Sequence, residues 1–267
     1  MNSRNLLACV EGLESRTMLG GHPIIFGGVQ PSNVTAKIVG SDVQITGDAL
    51  ANTIVITAVG TGGTKIKIAG LSGTTINGNA SATLNGVDDI RIDMGDGNDN
   101  VAVTNLPISG SLVIWPGDGA DTTTLTGLGI GHLLTVRDHL GADTLVLLKV
   151  VVKGNATLST GGDGDTIDID DSTFSGKVKI KAGAGDDHVN IERSSSAVGK
   201  TIFQQDVSMG FADGNDLLDI GQAKSVNVAI FKKKADWDGG RGNSDFETRS
   251  NATFIAGQPT IRRWEIS

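Results

Sequence analysis

Residue types on which most folded domains rely are scarce in this chain of 267 residues. Tyrosine is absent, there are one cysteine (Cys9) and five prolines, and aromatic residues make up 4% of the sequence. A single cysteine excludes an internal disulfide framework, and the shortage of aromatic rings predicts an aliphatic core in even layers. No apolar run approaches the ~18 residues of a membrane-spanning helix, so we expect no membrane span.

Positive charge is also in the minority. The chain has 22 Lys and Arg against 30 Asp and Glu, which gives a formal net charge of −8. A nucleic-acid partner would require a basic face, so we expect none. The acidic balance permits cation binding, although most acidic proteins simply carry a solvated surface.

Glycine and aliphatic residues are what the chain has in quantity. Glycine reaches 38 residues but shows no three-residue period, which excludes collagen. Hydrophobic residues form 38% of the sequence and many are β-branched, so the chain has enough apolar surface to fold.

Aspartates recur at a constant spacing. In DMGDGNDNVAV (93–103) the last aspartate of the turn is Asp99, and equivalent anchors follow every 22 residues at Asp121, Asp143, Asp165 and Asp187. Asp216 follows after 29 residues, and Asn52 holds an earlier equivalent position. A fixed period of this length is the signature of a repeat architecture.

Apolar residues share the register of the anchors. The positions nine and seven residues before each anchor, and four residues after it, are all apolar: Val43, Ile90, Leu112, Leu134, Ala156, Val178 and Val207; Ile45, Ile92, Ile114, Val136, Leu158, Ile180 and Met209; Ile56, Val103, Leu125, Leu147, Ile169, Ile191 and Ile220. A weaker third pair follows seven and nine residues after the anchor. Apolar residues two apart indicate strands rather than helices.

These patterns predict an all-β fold, a right-handed parallel β-helix of about eight coils with 22 residues and three short strands each. One coil cannot bury its own apolar faces, so stacking has to create the core. The predicted organisation is an N-terminal export-type segment and cap (1–33), the β-helix (34–220), and a degenerate last coil with a C-terminal cap (221–267). Within the helix, 53–89 is a weak coil with Thr75 at the anchor position, and seven extra residues fall within 192–205.

The turns that end in an anchor resemble a known metal-binding repeat. GDGND (95–99) and GDGAD (117–121) are similar to the second half of the hemolysin-type (RTX) calcium-binding consensus, G-G-x-G-x-D-x-U-x. The resemblance implies Ca²⁺ held between the turns of successive coils. Carried over, the metal ligands would be Asp96, Asp99, Asp118, Asp121, Asp143, Asp163, Asp165, Asp186, Asp187, Asp213 and Asp216. This chain departs from the family in having one such turn per coil, where the family has two.

The residues themselves leave the role of the aspartates open. Carboxylates stacked one coil apart lie ~5 Å from their neighbours and repel each other. A hard cation such as Ca²⁺ would neutralise the column. The carboxylates could instead point into water, or accept hydrogen bonds from the N–H groups of their own turns. Asn52 favours the hydrogen-bonding alternative, because an amide does the same without charge.

The N-terminal segment RNLLACVEGLESRTMLGG (4–21) resembles the LEPR-XLL-type segment that opens many exported planctomycete-type surface proteins. The resemblance implies an extracellular or cell-surface location. The alternative is an amphipathic helix that caps the first coil, because Leu6, Leu7, Val10 and Leu13 have helical spacing.

Trp115, Arg137 and Lys181 share one outward-facing column and are the candidate ligand-binding residues. An aromatic ring beside cations could hold an acidic sugar, whereas the alternative is an ordinary solvated surface.

No catalytic motif is present in the sequence. We therefore predict a non-catalytic, exported structural or adhesive module, with Ca²⁺ along one corner and with a surface polysaccharide, or self-association through the stack ends, as partner. The alternative is a carbohydrate-active β-helix, such as a lyase or hydrolase, or a carbohydrate-binding module; a groove with nearby carboxylates would favour it.

Overall fold

A computed structural model describes residues 31–60, 65–193, 199–221, 228–241, 246–263 and 265–266. The chain divides into two compact units, Met1–Pro31 and Ser32–Ser267, and the second unit contains the fold below. The predicted export-type segment lies outside the described residues, apart from positions 31–33. The same holds for most of the predicted seven-residue insertion, at 194–198.

The regular elements of the described residues are all β-strands, as predicted. There are 29 of them: β1 (Asn33–Val39), β2 (Asp42–Thr46), β3 (Thr53–Ala58), β4 (Lys65–Leu71), β5 (Thr75–Ile76), β6 (Ser81–Asn85), β7 (Ile90–Asp93), β8 (Asn100–Thr104), β9 (Pro107–Ile108), β10 (Leu112–Trp115), β11 (Thr122–Thr126), β12 (Gly129–Ile130), β13 (Leu134–Arg137), β14 (Thr144–Leu148), β15 (Val151–Val152), β16 (Ala156–Gly162), β17 (Thr166–Asp170), β18 (Thr173–Phe174), β19 (Val178–Ala184), β20 (His188–Ile191), β21 (Lys200–Phe203), β22 (Val207–Gly210), β23 (Leu217–Ile220), β24 (Val228–Phe231), β25 (Ala235–Asp238), β26 (Phe246–Arg249), β27 (Ala252–Phe254), β28 (Thr260–Arg262) and β29 (Glu265–Ile266). In the part of the chain that is described, no helix has the length and apolar character needed to cross a membrane.

Three sheets form because strands three apart in sequence pair with each other. The first sheet has the order β28-β25-β22-β19-β16-β13-β10-β7-β2-β1-β5, the second β29-β26-β23-β20-β17-β14-β11-β8-β3-β4-β6, and the third β27-β24-β21-β18-β15-β12-β9. From β7 onward the pairing is parallel, and from β7 to β20 residues 22 apart face each other, as in Leu112↔Leu134. This stacking of successive passes is consistent with a β-helix.

The buried side chains are the columns that the repeat predicts. Leu112, Leu134 and Ala156 follow one another in the first sheet, and Val103, Leu125 and Leu147 in the second, and all six are buried. Side chains alternate between the two faces of a strand, so the apolar residue at every second position points inward. The core is thus a set of stacked layers between the three sheets.

The core is aliphatic only in part. In the third sheet Phe174, Phe203, Phe231 and Phe254 stack at centroid distances of 5.3, 4.8 and 4.8 Å. Trp237 is fully buried and packs at 5.7 Å from Phe231. The few aromatic residues therefore concentrate at one end of the stack, because an in-register column places every phenylalanine directly above the last.

The prediction that residues 53–89 form a weak parallel coil is wrong, because strands in this region pair antiparallel. β3 pairs antiparallel with β4, β4 antiparallel with β6, and β1 antiparallel with β2. Only six residues separate β3 from β4, whereas a parallel connection needs a dozen or more, so the chain doubles back. Ile66 and Ile68 still point into the core, but Thr75 lies in β5 and not in an anchor turn.

The parallel stack also extends past residue 220. β24, β25 and β26 pair in parallel with β21, β22 and β23, and β27, β28 and β29 add a further layer. The change of spacing after Asp187 is absorbed between β20 and β21, so that Phe174 pairs with Phe203 in spite of the longer connection. The strands keep their register because the extra residues lie outside them.

Glycine should be required at position 117, because the turn that contains it packs closely against the backbone of the turn before. Gly117 has φ +124°, and a Cβ there would lie 1.6 Å from the carbonyl oxygen of Gly95. We expect Gly117→Ala to lower the free energy of unfolding by about 3 kcal/mol or more, measured by urea denaturation. Gly210→Ala is the control, because a Cβ there meets nothing within 4 Å and should change stability by less than about 1 kcal/mol. Equal effects would contradict the tight packing of the turns.

Candidate cation cluster and outer groove

The aspartates predicted as metal ligands separate into two columns along one edge of the stack, which we call the acidic corner (turns 94–99, 116–121, 138–143, 160–165, 182–187 and 211–216). The anchors are buried: Asp99, Asp121, Asp143, Asp165, Asp187 and Asp216. The companion acids are exposed: Asp96, Asp118, Asp163, Asp186 and Asp213. The two sets therefore have different surroundings and different chemistry.

The buried anchors form a hydrogen-bonded ladder. The Oδ1 atom of each anchor accepts the backbone N–H of the equivalent residue in the preceding coil, at 2.6 Å from Asp99 to Asp121 and 2.8 Å from Asp121 to Asp143. The ladder continues through Asp165, Asp187 and Asp216 at 2.8–2.9 Å and begins at the N–H of Asn52, which donates to Asp99 at 2.7 Å. The partner is thus the neighbouring coil and not, as the hydrogen-bonding alternative held, the residue's own turn.

The second oxygen of these carboxyl groups lacks such a donor. Within the described residues, no hydrogen bond reaches the buried Oδ2 atoms of Asp99, Asp121, Asp143, Asp165 and Asp187. A buried polar atom without a partner costs about 1–3 kcal/mol, and more when it is charged. A proton or a cation that neutralises these buried carboxylates therefore stabilises the folded state.

Burial raises the pKa of Asp99, Asp121, Asp143, Asp165 and Asp187, because it disfavours the charged form. It raises the pKa of Asp99, Asp143 and Asp187 to about 7 and that of Asp165 to about 6, against the lowering effect of the N–H that each accepts. The charge of the next anchor adds to the rise at Asp99, Asp143 and Asp187. At neutral pH the column is consequently only partly ionised.

Asp138 is a site residue that the sequence analysis missed. It accepts N–H groups from Gly117 at 3.2 Å and His139 at 3.1 Å. Burial, followed by the charges of Asp143 and Asp121, raises its pKa to about 9. A signal was available, because the equivalent positions in neighbouring turns carry no acid: Met94, Pro116, Thr160, Ala182 and Phe211.

Asp121, Asp138 and Asp143 together form a cluster that could hold a metal ion. Each offers one carboxylate oxygen, and the three oxygens lie within 4.8 Å of one another. Asp121 and Asp143 are buried and Asp138 is partly buried. An all-oxygen, charged donor set suits a hard divalent cation. The sequence predicted two of these ligands, and the fold adds the third, Asp138, from the beginning of the turn that ends in Asp143.

Three of the exposed aspartates of the acidic corner each bond to a residue of an adjacent coil. Asp118 contacts the Nδ1 atom of His139 at 2.6 Å, Asp163 accepts the N–H of Gly141 at 3.2 Å, and Asp186 accepts the N–H of Asn215 at 2.9 Å. These contacts link adjacent coils at the surface. They do not bring the exposed carboxylates into the cluster of Asp121, Asp138 and Asp143.

The three candidate ligand-binding residues line one groove. Trp115, Arg137 and Lys181 lie on the outer face of the first sheet, in a groove of about 850 Å³ that the turns of the acidic corner flank. The Arg91 guanidinium lies 5.0 Å from the centre of the Trp115 ring. Further lining residues are Gly95, Asp96, Gly117, Asp118, Asp138, His139, Thr157, Ser159 and Lys179. The groove thus has a basic floor and an acidic wall, and Asp138 belongs both to the wall and to the metal cluster.

Comparisons with protein-family models, with curated proteins and with solved structures find no match to this chain.

The raised pKa values predict how stability depends on pH. A carboxyl whose pKa is raised on folding holds its proton more tightly in the folded state, so the stability that it contributes is lost as pH rises from the unfolded value of 3.8 to the folded value. For Asp187 that window ends at about 7. In a chelating buffer we expect the free energy of unfolding to fall between about pH 4 and pH 8.

The substitution Asp187→Asn tests the contribution of a single anchor to this pH dependence of stability. The amide oxygen still accepts the N–H, but the buried charge is removed, so the loss of stability between about pH 4 and pH 8 should shrink by roughly 1–3 kcal/mol. Urea denaturation at each pH measures it. Asp213→Asn, an exposed acid of the same corner whose charge is not among those that raise the pKa of Asp187, should keep the wild-type profile. Identical profiles for Asp187→Asn and the wild type would refute a buried charge at this rung.

Proposed function

We propose that this protein is a non-catalytic, exported or cell-surface β-helix module, structural or adhesive, that holds an acidic polysaccharide on the outer face of its first sheet. The observation that carries the proposal is the groove that unites Trp115, Arg137 and Lys181. Right-handed winding is part of the proposal, because crossovers between parallel strands are right-handed in ~98% of cases. An extracellular location rests on the N-terminal resemblance alone, and self-association through the stack ends stays a prediction.

The groove has the chemistry of a site for a charged sugar. A half-buried indole ring offers an apolar face against which a sugar ring can pack. Arg137 and Lys181 are exposed and lie in the same outward column, where their cations can pair with carboxylate groups. Neutral sugars would use only the indole, so the cations favour an acidic polymer.

Binding is favoured over cleavage by the way in which the groove is built. Its lining residues come from strands β10, β13, β16 and β19 and from the short turns after β7, β10 and β13. Enzyme sites generally need walls that enclose the reacting bond and exclude water. Still, the carboxyl groups of Asp118 and Asp138 in the wall are what the carbohydrate-active alternative requires, so cleavage is tested alongside binding.

Trp115→Ala should weaken polygalacturonate binding about tenfold, which corresponds to about 1.4 kcal/mol. Isothermal calorimetry in a chelating, low-salt buffer measures it, with neutral dextran as the ligand that should not bind. Val113→Ala is the matched control, because Val113 lies two residues away in the same strand and is half-buried. Equal affinity for dextran, or no loss with Trp115→Ala, would contradict the proposal. New reducing ends in the polymer would assign the carbohydrate-active alternative instead.

We also propose that the metal of this corner is Ca²⁺, held by Asp121, Asp138 and Asp143. The oxygen donors, the unpartnered Oδ2 atoms of Asp121 and Asp143 and the distance of 4.8 Å or less between ligand atoms support it. Asp99, Asp165, Asp187 and Asp216 stay candidates for further cations in the same column, as the RTX resemblance implies. Such an ion would stabilise the fold and not take part in chemistry.

Ca²⁺ should raise the melting midpoint of the wild type at about pH 7.5, because a ligand that binds only the folded state adds about 2.7 kcal/mol at a concentration of 100 Kd. Asp138→Asn should abolish this rise and, in chelator, should melt higher than the wild type. At this pH the wild-type carboxyl, whose pKa burial raises to about 9, must take up a proton on folding, and the amide does not. Asp213→Asn, an exposed acid of the same corner, should respond to Ca²⁺ like the wild type. An unchanged wild-type midpoint across millimolar Ca²⁺ would refute the site.

A further inference from the structure

The cations of the groove are notable in a chain with a net charge of −8. Among the described residues, Arg137, Lys179 and Lys181 make no ion pair with a carboxylate. The acids are in excess, so three neighbouring cations without an acidic partner form a local surface that attracts anions.

A second groove continues the first. It has a volume of about 410 Å³ and shares Thr157 and Lys179 with the larger groove. It adds Lys177 and Lys234, which contact Asp206 at 3.5 Å and Asp236 at 3.2 Å. Exposed ion pairs of this kind are worth at most about 1 kcal/mol, so a ligand carboxylate can replace the protein's own acid at little cost.

The two grooves together cross the first sheet obliquely, because Lys179 and Lys181 lie along β19 and Lys177 directly precedes it. Together they cross the outer faces of β10, β13, β16, β19, β22 and β25. Neighbouring strands lie ~4.8 Å apart, so the track extends ~24 Å along the stack axis. Between the cations the floor carries small residues: Thr157, Ser159 and Ser208 face outward beside Lys179 and Lys181. A chain-like ligand can therefore lie close to the sheet along the whole track.

We infer that this track binds one linear acidic polysaccharide lengthwise, with its uronate carboxylates on the successive cations of Arg137, Lys181, Lys179, Lys177 and Lys234. The inference rests on the proposed function, because Trp115 and its groove hold one end of the polymer. A polysaccharide is favoured over a nucleic acid because Trp115 is the one Phe, Tyr or Trp among the described residues that line the two grooves, whereas proteins that bind single-stranded nucleic acids stack successive bases on several aromatic side chains.

The inference is tested with oligogalacturonates of increasing length, by calorimetry in a chelating buffer. Affinity should keep rising beyond the length that fills the first groove. Lys177→Gln combined with Lys234→Gln should lower the affinity for long oligomers roughly fivefold to tenfold and leave the affinity for short ones unchanged. The matched control is Lys149→Gln combined with Lys153→Gln, two exposed lysines beside β15 in the third sheet.

The outcomes separate the two proposals. Short oligomers that bind through Trp115 with an affinity independent of length and of Lys177 and Lys234 would overturn the lengthwise track and leave the groove intact. Failure of all oligomers to bind would overturn both. Equal loss in the Lys149 and Lys153 control would show general charge attraction and overturn the track. Equal affinity for a single-stranded oligonucleotide of matched charge would overturn the assignment to a polysaccharide.

Discussion

The structure depends on parallel backbone pairing between passes of the chain that use the same number of residues. Leu112 meets Leu134, and Thr122 meets Thr144, because from β7 to β20 each pass returns to the same place after 22 residues. A slip of one residue would turn every inward side chain to the outside. The longer connection after Asp187 lies between β20 and β21, and Phe174 still pairs with Phe203 beyond it.

The same register creates the acidic corner and stacks its buried carboxylates, whose like charges repel each other. Equivalent aspartates must lie above one another, and each uses one oxygen to bond the N–H of the coil before it. The other oxygen remains buried without a donor at Asp99, Asp121, Asp143, Asp165 and Asp187. The ladder thus ties the turns together but stores like charge, and its stability depends on protons or cations. Asp138 adds a third carboxylate beside Asp121 and Asp143. The need for a neutralising proton or cation is therefore greatest at this cluster.

Register also organises the surface. Outward residues form columns along the axis, so side chains far apart in sequence, such as Trp115 and Lys181, line one groove. A repeat protein can build a long binding track in this way without any inserted loop, because each coil contributes outward side chains to the same face. The acidic wall and the basic floor come from adjacent positions of the same repeat, which is why the groove and the cation cluster share Asp138.

The sequence by itself determined the strand type, the period, the inward columns and the position of the anchors, because these follow from spacing that every coil repeats. It could not determine the antiparallel strands β4 and β6, since a hairpin and a coil present the same alternation, and only the short connection after β3 separates them. Asp138 and the column of Phe174, Phe203 and Phe231 depended on the tertiary structure for a different reason. Each is a departure from the repeat, and a departure acquires meaning only from the side chains that the neighbouring coils place beside it.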